Sequence, residues 1–76
     1  MPKLPIIDAK TLIQFMHESG FVLKRQKGSH KFFTHPDGRT VTVPDQPGED
    51  IGRGLLRKIL NDIEISREDF VKWLLR

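Results

Sequence analysis

The chain has 76 residues, 13 Lys and Arg against 10 Asp and Glu for a net charge of +3, and no cysteine. One small core is all that this length supports, and folding at this size buries only about 60% of the unfolded surface, which excludes a deep cleft for a large cofactor. The missing thiols exclude disulfides, thiolate metal sites and thiol nucleophiles, no apolar run approaches a membrane span, and Met1-Pro2-Lys3-Leu4-Pro5 lacks the apolar stretch of a signal peptide, so a single cytoplasmic domain over residues 1–76 is expected.

Asp8 precedes Ala9, Leu12, Ile13 and Met16, apolar at the spacing of one helix face, and Gly20 follows as a left-handed stop, which predicts a helix over about 9–19. Alternation from Phe21 to Gln26 predicts a strand, and Lys27-Gly28-Ser29 supplies a glycine where the chain turns. His30 to His35 is a second extended run, closed by Pro36-Asp37-Gly38-Arg39, and Thr40-Val41-Thr42-Val43 is a third that Pro44 ends. Glu49 and Asp50 stand where a helix N-terminus favours negative charge, and Ile51, Leu55, Leu56, Ile59, Leu60 and Ile63 recur at helical spacing. Ser66 with Asp69 three residues on opens a last short helix carrying Phe70, Val71, Trp73 and Leu74. The expectation is an α+β domain: helix, three-stranded antiparallel sheet, helix, short C-terminal helix, with helices on one sheet face and the other open.

Alternation in the second strand separates His30, Phe32 and Thr34 from Lys31, Phe33 and His35. A lysine in mid-strand is costly to bury, so Lys31 is assigned to the solvent side and His30 to the helix-covered side. Charge is uneven along the chain. Residues 21–43 hold Lys24, Arg25, Lys27, Lys31 and Arg39 against Asp37 alone, a local +4, which suits either a polyanion binder or a solvated face.

General acid–base work falls to three histidines and ten carboxylates. His17, near the end of the first helix, suits a helix-dipole contact, and His35 stands at a turn. His30 follows Lys27-Gly28-Ser29, so one turn presents an imidazole, a hydroxyl and a cation beside accessible backbone N–H groups. That set suits RNA cleavage without a metal: the 2′-OH loses a proton and charge develops on phosphoryl oxygens. No Gly-rich phosphate loop and no carboxylate pair at metal-binding spacing is present.

The run from Arg25 through Gly28-Ser29-His30 to Val43-Pro44, followed by Gly54-Leu55-Leu56-Arg57-Lys58-Ile59-Leu60, resembles the HicA (YcfA-like) toxin family over about residues 8–66. The resemblance implies a fold like the double-stranded-RNA-binding domain, an mRNA-cleaving toxin with no small-molecule cofactor, and a HicB-type antitoxin that covers its active face. It also implies that His30 is catalytic, within the motif Gly28-Ser29-His30. Ser29 and Gly28 would support it, and Lys27, Lys31 and Arg25 would hold phosphates. The chain departs from many members in the loop after Val43-Pro44, where Gln46 stands in place of a histidine. The alternative is a non-catalytic RNA-binding module, since related folds bind RNA by shape and phosphate contact alone.

Overall fold

The computed structural model describes residues 4–76. Its elements are β1 (Ile7–Asp8), α1 (Ala9–Glu18), β2 (Val22–Lys27), β3 (His30–Thr34), β4 (Thr40–Pro44), β5 (Asp50–Ile51), α2 (Arg53–Asp62) and α3 (Arg67–Leu74). The expected helix, three-stranded antiparallel meander, helix and short helix are all present, in the α+β order of a small double-stranded-RNA-binding-like domain. Strands β2, β3 and β4 are neighbours in that order.

The local signals act as their chemistry requires. Asp8 caps α1 by accepting from the Thr11 N–H at 2.8 Å, and Gly20 takes a φ of +97° just past its end, a conformation costly for any residue with a Cβ. Ser66 caps α3 by accepting from the Asp69 N–H at 3.1 Å. Leu12, Phe15 and Met16 of α1, Phe33, Val41 and Val43 of the sheet, and Leu56, Ile59 and Leu60 of α2 share one core. Phe70 of α3 joins it with no exposed surface, its ring edge-on to Phe15 at 4.9 Å, while the Trp73 ring lies 5.1 Å from Phe15. Trp73 Nε1 also donates to Glu18 at 3.0 Å. The C-terminal helix therefore packs on the domain, and most of its apolar payload is spent there.

Two features differ from expectation. Ile7–Asp8 and Asp50–Ile51 pair as a two-stranded antiparallel ribbon, so Glu49 and Asp50 precede α2 rather than open it, and Gly52 is its N-cap. Ile51 is buried from this ribbon and not from the helix. The sheet also faces the other way round from the sequence assignment. Phe33 is only 3% exposed and lies opposite Leu23 and Val41, so Lys31, two residues before it, stands on the helix-covered side and His30 on the open side. Burying a phenylalanine stabilises by about 1.5–3 kcal/mol. Lys31 yields to this at little cost because it lies near the end of the sheet, where its stem runs along apolar surface and its ammonium meets Asp45 at 2.6 Å.

Candidate active site

The hairpin joining β2 to β3 turns in two residues, with Lys27 and His30 as the last cross-strand pair. Gly28 at the first central position has a φ of +58° while Ser29 keeps an ordinary negative one. This is the glycine-first turn whose twist matches that of a hairpin. The turn is tied down from one side by the loop after β4: the Asp45 N–H donates to the Ser29 carbonyl at 2.6 Å, and the Gln46 amide lies 3.4 Å from Ser29 Oγ. Gln26 Nε2 donates to the Gly28 carbonyl at 3.1 Å. Ser29 thus faces the Asp45–Gln46 loop, within the turn from which His30 projects.

Cross-strand register sets out the open face in rows. Lys27, His30 and Pro44 form one, Arg25, Phe32 and Thr42 the next, and Val22, Thr34 and Thr40 the last. Arg25 reaches this face only because the register slips between Leu23 and Arg25. Leu23 pairs with inward Phe33, so strict alternation would turn Arg25 inward too, and the extra residue Lys24 in the bulge turns it outward. Once there, its guanidinium lies 4.5 Å from the Phe32 ring centroid.

Lys31 is separated from this set, on the other face and paired with Asp45. Arg39 is also engaged within the domain: it bonds Asp37 at 2.8 Å, lies 5.1 Å over the Phe21 ring and donates to the Ile63 carbonyl. Of the five cations of residues 21–43, Lys24, Arg25 and Lys27 are the ones with no carboxylate partner among the described residues, and all three lie on β2. The positive field is narrower than the sequence segment that carries it.

The other histidines lie away from His30. His35 packs edge-on to Phe21 at 5.0 Å, and its Nδ1 accepts from the Asp37 N–H at 3.1 Å. A Cβ on Gly20 would meet its Nε2 at 2.8 Å. Its surroundings are those of a structural residue. The backbone N–H of Arg39, then its side chain, holds the neighbouring Asp37 carboxyl below the usual carboxylate range. His17 is exposed on α1, on the rim of a shallow concavity with Lys10, Ile13, Leu23 and Phe33, on the helix-covered side of the sheet. Among the described residues, no three His, Asp or Glu side chains gather as metal ligands would.

Sequence reasoning missed the contribution of Arg25 with Phe32 as a pair, since the bulge that brings them together has no signature in composition. The fixing role of Asp45 was equally hidden.

A family model described as HicA toxin of bacterial toxin–antitoxin matches residues 9–65. The chain belongs to the HicA toxin family. The match covers α1 through the end of α2 and contains the whole hairpin, so the span expected from the motifs, 8–66, differs by one residue at each end. A search of curated proteins finds no match. As a HicA toxin the chain has an antitoxin for a partner, and α3 lies beyond the family's shared region. Among the described residues no helix is long and apolar enough to cross a membrane.

Proposed function

We propose that this HicA toxin is an endoribonuclease that cleaves mRNA in the cytoplasm, with His30 moving the proton, and that a HicB-type antitoxin silences it by covering the open sheet face. The observation that carries the reading is the placement of His30: exposed, on the uncovered face, in the same cross-strand row as Lys27. Imidazole is the side chain whose ordinary titration lies nearest neutral pH, which suits it to take a proton from a ribose hydroxyl or give one to a leaving oxygen.

In the proposed step the 2′-oxygen attacks the adjacent phosphorus as its proton leaves, the bond from phosphorus to the 5′-oxygen breaks, and that oxygen takes up a proton. His30 serves at one of these two proton transfers. The products are a 2′,3′-cyclic phosphate and a 5′-hydroxyl. Lys27 stabilises the charge that grows on the phosphoryl oxygens, and Arg25 holds the strand one row away. Gly28 and Ser29 act by holding the turn. Since the nucleophile belongs to the substrate and the proton carrier to the protein, the step needs no resident cofactor.

The rival reading is a module that binds RNA without cutting it, for which the uncompensated cations of β2 would suffice. Incubating RNA with the wild-type chain and with His30→Ala, and mapping the ends of any products, decides between them. Cleavage that vanishes in His30→Ala while RNA binding survives supports the enzyme. Binding without cleavage by either protein supports the module.

A further inference from the structure

The open face carries one feature that phosphate binding does not call for. Phe32 stands half-buried in the middle of β3, away from the core, with the Arg25 guanidinium 4.5 Å over its ring. Arg39 and Arg76 also lie over aromatic rings, Phe21 and Trp73, but each has an acid beside it as well, Asp37 and Glu18, whereas Arg25 has no carboxylate partner among the described residues. Its flat guanidinium lies against an aromatic ring, on a face that no helix covers. On β4 the neighbour of Phe32 is the small Thr42, which leaves the row low on that side.

We propose that Arg25 and Phe32 form a stacking platform for one unpaired base of a single-stranded RNA, beside the proton-transfer residue His30. The inference rests on the reading of this face as an RNA site and adds the class of substrate, an unpaired nucleotide. Bases inside a duplex are stacked on their neighbours and offer a protein only their edges, so an aromatic or guanidinium plane gains a partner only when a base is splayed out. Arginine backed by an aromatic ring presents a flat cationic surface of that kind. The platform and His30 lie two residues apart along β3, roughly 6.6 Å, so a base held on the first row places its own ribose and phosphate toward the second. The charge of β2 fits the same occupant, because Lys24, Arg25 and Lys27 together would draw a polyanion along the strand.

The test uses the full chain as His30→Ala, so that no substrate is consumed, with a single-stranded RNA carrying 2-aminopurine at successive positions. Stacking quenches that base. The expected result is quenching at one position, kept in Phe32→Tyr and lost in Phe32→Leu, with affinity falling about 5- to 140-fold in the leucine variant. The slope of log affinity against log salt should not change in Phe32→Leu, since a phenyl ring neutralises no phosphate. Leucine keeps apolar bulk on the sheet, and a circular dichroism spectrum matching that of the parent establishes that it is folded. Equal affinity of a folded Phe32→Leu variant, or equal affinity for the same sequence as duplex, overturns the platform. Wild-type cleavage is scored alongside. Cleavage with Phe32→Leu binding unchanged removes the platform and leaves the ribonuclease standing. Phe32-dependent quenching by a chain that cuts no RNA removes the ribonuclease and leaves the platform.

Discussion

The ammonium of Lys31 lies 2.6 Å from the carboxylate of Asp45, and both side chains are about three-quarters covered. This pair lets a lysine stand on the helix-covered side of the sheet, where burial of Phe33 puts it, so that His30, its neighbour in sequence, projects from the open side. The same Asp45 also donates its backbone N–H to Ser29. Its side chain anchors the sheet edge and its main chain anchors the hairpin turn.

Lys27 and Lys31 should therefore behave differently although both flank the motif. Lys27→Ala is expected to reduce the salt slope for single-stranded RNA by about 0.7, the loss of one phosphate contact. Lys31→Ala should leave that slope unchanged and cost about 1 kcal/mol of folding stability through the freed Asp45. Fluorescence titrations at several salt concentrations and urea melts check both. Equal slope changes in the two variants would return Lys31 to the RNA face.

The glycines supply a second contrast. Gly28→Ala, at a φ of +58° with nothing within 4 Å of a new Cβ, should cost about 1 kcal/mol from backbone strain alone. Gly20→Ala adds a collision with the His35 ring to its strain at +97° and should cost about 2–3 kcal/mol. Adding His35→Ala should recover part of the Gly20→Ala loss and none of the Gly28→Ala loss, as read from urea midpoints.

The C-terminal helix lies past the family match yet supplies core. Phe70→Ala is expected to cost about 3–5 kcal/mol, since it removes a fully buried ring packed on Phe15. Denaturant unfolding measures it. A loss below about 1 kcal/mol would mean that the domain closes without α3.

What could be read in advance divides by distance along the chain. The Asp8 and Ser66 caps, the Gly20 stop and the Gly28-Ser29 turn act within a few residues, so their chemistry is written locally. Alternation already put His30 and Phe32 on one face. Which face that was depended on Asp45, 14 residues from Lys31, and on the apolar demand of Phe33, and no local pattern weighs one against the other. The ribbon of Ile7–Asp8 with Asp50–Ile51 is too short for any period to show, so Ile51 reads equally well as helix. The bulge at Lys24 is likewise set by pairing and not by residue type, which hid the meeting of Arg25 with Phe32.

Acid should weaken the fold through three carboxylates whose ionised forms are favoured. Hydrogen bonds from Thr11, in the first turn of α1, hold the N-cap Asp8 below its usual range, Trp73 and Gln14 do so for Glu18, and Arg39 for Asp37. A group depressed by folding contributes stability that is present above its unfolded pKa and lost as pH falls through the folded one. Melting temperature should thus hold from neutral pH to the upper carboxylate range and decline below it, with a smaller decline in Asp37→Asn. All three groups are exposed, so added salt should blunt the contributions made by charge. A melting temperature that rises on acidification would contradict this.

The measurement that bears most directly on the role of His30 is cleavage of one defined single-stranded RNA by wild type and His30→Ala in parallel, with a copy carrying 2′-deoxyribose at the cut position. The account predicts a rate about 10² to 10⁴ lower for His30→Ala, no cleavage of the deoxy-substituted copy, and a 2′,3′-cyclic phosphate on the wild-type product. A folded His30→Ala chain that cuts at the wild-type rate, or a deoxy-substituted RNA cut as fast as the parent, would contradict it.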